Sequence, residues 1–186
     1  MPMRMILVFS ALILVLGGPA VADSTLAQYD AARAALLAVW DGLPLTARNV
    51  TLIAEAAPAY GDYTPHQGNS YGPNAPIHVY AEIVGYGWKD NGDGTLSELL
   101  DADLNLLDKA GTLLGQQQGF LNVDIQSRNK QLETYLNLQA TLASVEPGDY
   151  QLQFVLHDRA GGKTATFAVP VTIVSADAAA SSASAQ

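Results

Sequence analysis

His78, Tyr80, Glu82, Val84, Tyr86 and Trp88 share one parity of a run whose other parity, Ile77, Val79, Ala81 and Ile83, is aliphatic. Successive side chains of a strand point to opposite faces, so the aliphatic set predicts a core face. The other set then forms a stripe of rings holding a carboxylate and an imidazole. Rigid amphipathic rings beside a few polar groups are the material of sugar and peptide grooves. Tyr60, Tyr63 and Tyr71 precede the run in a Pro/Gly-rich loop at 58–76. The candidate ligand-binding residues are therefore Tyr80, Glu82, Tyr86 and Trp88 on the strand, with Tyr63 and Tyr71 from the loop. A second reading stays open. The stripe could seat an amphipathic helix at 24–41 while the loop tyrosines pin the loop, because monomers rarely leave such rings bare. Gly85 and Gly87 flank Tyr86 on the core parity, which predicts a bulge or a close backbone approach.

Other chemistry is weaker. Gly68-Asn69-Ser70-Tyr71-Gly72 spells a nucleophile elbow, but Ser70 lies between Pro65 and Pro73 with no helix after it. Residues 90–96 suggest a calcium loop. With Gly94 at the turn position, Lys89 and Leu100 occupy the two anchoring carboxylate positions, and a hairpin turn accounts for the same residues. Asp101 and Asp103 share a strand face at roughly 7 Å spacing, which suits a solvated acidic surface better than a chelate. His66, His78 and His157 show no metal-ligand spacing. A hydrolase pairing Glu82 with Asp101 or Asp103, or using His78 in a cross-strand metal site, is the alternative from another class. A purely structural module is a third.

Positioning these residues requires strands. Period-two alternation recurs at 50–55, 77–87, 100–106, 121–126, 132–142, 150–157 and 165–173. Turn signals at 90–94, 108–111, 147–149 and 159–162 separate the later segments. One wet face per strand implies antiparallel sheets, and seven to eight such strands imply an immunoglobulin-like β-sandwich with an N-terminal helix. Pro170 on the polar parity places the last strand at an edge or a bulge. The expected domains are a signal peptide at 1–22, a helix at 23–45, the sandwich at 46–174 and a disordered Ala/Ser tail at 175–186.

The address comes from the first 22 residues. Arg4 precedes an apolar run, Gly17-Gly18-Pro19 breaks it, and Ala20-Val21-Ala22 fits a signal-peptidase site. Cleavage after Ala22 would deliver the protein to the periplasm or outside the cell. The whole chain carries 9 Lys+Arg against 18 Asp+Glu. Removing the leader with its single cation takes the net charge from −9 to −10. Nucleic acid is a poor partner for such a surface, and no later segment is apolar enough to span a bilayer. The chain contains no cysteine, so thiol catalysis and thiolate metal sites are excluded. No cofactor is expected.

Pro147-Gly148-Asp149-Tyr150-Gln151-Leu152, then His157-Asp158, Gly162-Lys163 and Phe167-Ala168-Val169-Pro170-Val171, resembles the closing hairpin of immunoglobulin-like modules in exported bacterial proteins. Residues 77–88 with the following Asp-Gly turn are similar to a group of small, uncharacterised secreted bacterial proteins. The resemblance implies the fold and brings no functional residues. The expected function is a non-enzymatic binding or assembly module for a glycan, a peptide or an envelope protein, using the aromatic sheet face and the adjoining loop.

Overall fold

The structure, a computed structural model, describes residues 21–177. The expected leader lies outside the described residues up to position 20, as does the expected tail from position 178. Helix α1 (Val21–Gly42) is rich in alanine, the best helix former, and ends where Gly42 and Pro44 cannot continue it. None of the described helices is long and apolar enough to cross a membrane. The chain divides into two compact units, Met1–Leu37 and Ala38–Gln186. Trp40 falls within the second unit.

That second unit is mainly β. Its strands are β1 (Thr46–Ile53), β2 (Ser70–Tyr71), β3 (Pro76–Val84), β4 (Lys89–Asp90), β5 (Leu96–Asp108), β6 (Leu113–Ser127), β7 (Thr134–Thr141), β8 (Gly148–Asp158) and β9 (Lys163–Ile173). One sheet has the order β1-β3-β7. The other runs β2-β9-β8-β5-β4, with β6 also on β5. Apart from the short parallel contact of β2 with β9, all pairings are antiparallel. Three strands facing β6-β5-β8-β9 is the sheet partition of an immunoglobulin-like sandwich. Seven long strands build it, and β2 and β4 are two-residue additions.

The two inner faces share one core. Val79, Ala81 and Ile83 of β3 with Leu136 and Leu138 of β7 pack with Leu100, Ala102, Leu152, Phe154, Leu156 and Val171 of the larger sheet. Alternation made β5 and β8 legible, because Asp101, Asp103 and His157 stay outside while Leu100, Ala102 and Leu156 go in. The resemblance at 147–171 corresponds to the β8–β9 hairpin, paired from Gly148↔Ile173 to Asp158↔Lys163. Pro170 behaves as expected. Strand β9 has β8 on one side and only the two-residue β2 on the other, so the missing N–H disrupts no long ladder.

Candidate functional site

The stripe predicted on β3 is not an open face. Both parities of this strand are buried from Val79 to Ile83. Tyr80 is fully buried, and Glu82 nearly so at 7 % exposure. The cover comes from the chain between β1 and β2. Backbone bonds from Ala54 N to Thr64 O and from His66 N to Leu52 O fold residues 54–66 back on themselves. Asn137 of β7 clamps the same segment, accepting from Ala57 N and donating to Ala57 O, each at 2.9 Å. Ile53, Ala57 and Tyr80 form a small second core, with Tyr63 and Tyr135 packed on it. The Tyr63 and Tyr80 rings lie 4.4 Å apart, and Tyr80 stacks on Tyr135 at 5.6 Å.

Glu82 is a structural acceptor in this cluster. A bulge in β1 between Arg48 and Thr51 and the left-handed Asn49 (φ 48°) bring the Asn49 amide to 2.7 Å from Oε2. The Tyr60 hydroxyl donates to the same oxygen at 3.0 Å, and the Tyr80 hydroxyl donates to Oε1 at 3.3 Å. Burial and the Glu82 carboxylate push the Tyr60 phenol up to about 12. Glu82 is thus spoken for, and it lies on a different sheet from Asp101 and Asp103. The acid–base pair considered for a hydrolase is not assembled. Tyr60→Phe is expected to cost about 1 kcal/mol, measured as a lower urea midpoint, since one hydrogen bond at a partly exposed site is lost.

Tyr86 and Trp88 turn away to one end of the sandwich, where they meet Trp40. Trp40 lies 5.2 Å from Tyr86 and 5.7 Å from Trp88, and its indole N–H donates to the Tyr86 carbonyl at 2.8 Å. Lys130 Nζ sits 4.7 Å above the Trp88 ring. Tyr86 is buried and Trp88 half-buried, so their candidacy as an exposed ligand surface is corrected as well. The end of α1 does cover part of the stripe, through Trp40. The close approach expected at the glycines is present. A Cβ on Gly85 (φ 79°) would strike the Pro44 carbonyl, and one on Gly87 would lie 2.7 Å from the Gly161 backbone.

Two buried carboxylates line this end. Asp158 accepts backbone N–H groups of Gly87 (2.8 Å), Ala160 (3.1 Å) and Gly161 (2.8 Å). Glu98, 2 % exposed, accepts from the Thr134 hydroxyl at 2.8 Å through Oε2, while its Oε1 has no partner. The Tyr86 hydroxyl lies 2.9 Å from Thr134 Oγ1 and donates to Gln131 O. Burial, with the Asp158 carboxylate nearby, raises the Glu98 carboxyl to about 7. Neither carboxylate was among the candidate site residues, although each is an acid on the core-facing parity of its strand, Glu98 with Leu100 and Ala102, Asp158 with Phe154 and Leu156.

The remaining motifs resolve simply. In the 90–96 turn Asp90 accepts from Gly92 N, and Asp93 accepts from Thr95 N and Oγ1, so the carboxylates serve the turn itself. Asp103 takes the Gly119 N–H at 2.7 Å and pairs with His157 at 3.0 Å, which hold it below the usual carboxylate range. Arg159 binds Asp101 at 2.8 Å. Ser70 lies in β2 as an exposed strand residue. Among the described residues no group of three or more His, Asp or Glu stands together as a metal site.

Concave surface occurs elsewhere, at the seam where the edges of β1 and β9 meet the loop before β2. One cleft of about 360 Å³ is lined by Val50, Thr51, Leu52, His66, Asn69 and Pro170, among others. A second, about 300 Å³, shares Asn69 and Pro170 and adds Lys109, Asp149 and Tyr150. The His66 ring stacks on Tyr71 at 4.5 Å. Tyr71 itself is buried, with a hydroxyl that has no partner and a phenol pushed up to about 12 by burial. Burial takes Tyr71 out of the exposed surface on which a direct ligand contact was expected. The loop at 58–76, which supplies His66 and Asn69, and Pro170, through its edge parity, were the legible signals for this region.

No protein-family model and no curated protein matches the sequence. Solved structures to which the chain shows similarity include two of one domain. A crystal structure of the CARDB domain of a Pyrococcus furiosus protein, in complex with di-metal ions, is 15% identical over 71% of this chain and 93% of that one, with a TM-score of 0.32. A solution NMR structure of that domain is 13% identical over 68% of this chain and 94% of that one, with a TM-score of 0.29. No functional residue is transferred from either.

Proposed function

We propose that the protein is an exported, non-enzymatic binding module, working in the periplasm or outside the cell, that takes a short peptide or glycan segment of an envelope component in the seam clefts. The observation that carries this is the pair of clefts meeting at Asn69 and Pro170, each within the size range of small-ligand sites. Aliphatic Val50, Leu52 and Val169 provide apolar contact, and Thr51, His66 and Asn69 provide a few directional groups. The leader pattern at 1–22 supports export. A binding role is further supported by the use of Glu82 and Asp158 as acceptors of structural hydrogen bonds, which leaves neither as a free acid or base.

Peptide and glycan panels titrated into isotope-labelled protein test the reading. Amide shifts are expected at Thr51, His66 and Asn69. His66→Ala and Asn69→Ala should each weaken binding roughly tenfold, the loss of about 1.4 kcal/mol. Tyr60→Phe, at a position that lines neither cleft, should bind normally. Shifts confined to residues outside the clefts, or full affinity in both alanine variants, would remove the seam as the site.

A further inference from the structure

The geometry points to a second interaction surface: β6 pairs, edge to edge and antiparallel about Val123, with the same strand of a second copy of this chain. Strand β6 hydrogen-bonds to β5 on one side and has no strand on the other among the described residues. An open edge of unpaired N–H and C=O groups is a template for another chain, and proteins that avoid pairing blunt such edges with proline, lysine, short length or charge. Strand β9 carries Pro170, and β1 carries Arg48 beside its bulge. The fifteen residues of β6 contain no proline and no cation, and Asp124 is their single charge.

Its sequence says which partner fits. After the irregularity opposite Asp103, residues 121–127 pair with β5 without a register shift. Leu121, Val123 and Ile125 stand opposite Ala102, Leu100 and Glu98, so they share the core-facing side, yet they lie at its margin and Ile125 is 41% exposed. Antiparallel self-pairing about Val123 places Val123 opposite its copy and Leu121 opposite Ile125, which continues the apolar row across the axis. On the other face Asn122 comes opposite Asp124, an amide against a carboxylate. Parallel pairing in register would set Asp124 against Asp124, a like-charge contact. The edge is therefore complementary to itself in one direction only.

The absence of cysteine makes the test clean. The protein, expressed with its own N-terminal segment and purified as the cell delivers it, is followed by sedimentation over a concentration series. A monomer–dimer equilibrium is expected, weak because one strand edge buries little area. Val123→Cys should cross-link to a disulfide dimer under mild oxidation, whereas Gln117→Cys should not. Ile125→Lys, at an exposed position, should raise the dissociation constant at least roughly tenfold without lowering the melting temperature. Asn122→Lys, facing the copy's Asp124, should lower it. A chain that stays monomeric with an unreactive Val123→Cys overturns the proposal. So does a dimer that Ile125→Lys leaves intact, which would place the contact elsewhere.

Discussion

Asp158→Ala is expected to destabilise the fold by roughly 3–5 kcal/mol, a drop in melting temperature on the order of 10 °C for a chain of this size. The carboxylate is 2 % exposed and accepts three backbone N–H groups, from Gly87, Ala160 and Gly161. Alanine leaves those donors without an acceptor, at a place where the Gly87 and Gly161 backbones approach closely. Each orphaned donor costs about 1–3 kcal/mol, less where solvent can still reach it. Asp158→Asn retains one acceptor oxygen and should fall between the two. Urea unfolding is the measurement, with the slope m compared between variants to confirm that the native end-state is unchanged. A loss below about 1 kcal/mol would mean that the β8–β9 turn holds its place without this carboxylate.

The same local geometry explains why parts of this chain could be read from sequence and parts could not. Alternation on β5 and β8 has a direct cause, since one side of each meets the core and the other meets water. On β3 the rule for the aliphatic parity held, but its complement was misplaced. Tyr80 and Glu82 are the outward set, yet residues 54–66 return over them and are clamped by Asn137, eighty positions from Ala57. A contact so distant leaves no periodic trace. The dense aromatics at 60–88 signalled a burial need and were equally compatible with a binding face. Strand β6 shows the opposite failure. Its first half, from Leu113 to Gln118, is wholly exposed, and pairing with β5 rather than any apolar pattern makes it a strand. The seam clefts were legible only in part for a related reason: they arise where two sheet edges meet, and the loop at 58–76 and the proline at 170 were the signs of them in the sequence.

Glu98→Gln is expected to be stabilising above neutral pH and close to neutral in acid. Burial, aided by the nearby Asp158 carboxylate, raises the Glu98 carboxyl from its ordinary 4.5 to about 7 in the folded chain. A raised acid makes the folded state bind the proton more tightly than the unfolded state. Its contribution to stability is therefore fully present below about pH 4.5 and is lost as pH rises through about 7. At pH 8 the wild type bears a buried charge whose Oε1 has no partner, a penalty of roughly 3 kcal/mol for a shift of this size. Glutamine keeps an oxygen for the Thr134 hydroxyl and carries no charge, so it removes most of that penalty, less the cost of an amide N–H₂ left unpaired in the same spot. The difference in unfolding free energy between variant and wild type should accordingly grow from near zero at pH 4 to about 2–3 kcal/mol at pH 8. Its rise should begin near pH 4.5 and level off near pH 7, and carbon-labelled NMR of the carboxyl can follow the folded-state titration of Glu98 independently. A difference that stays flat across this range would show that water or a rearranged Tyr86–Thr134 pair already relieves the charge. Glu98 would then carry no pH dependence of its own.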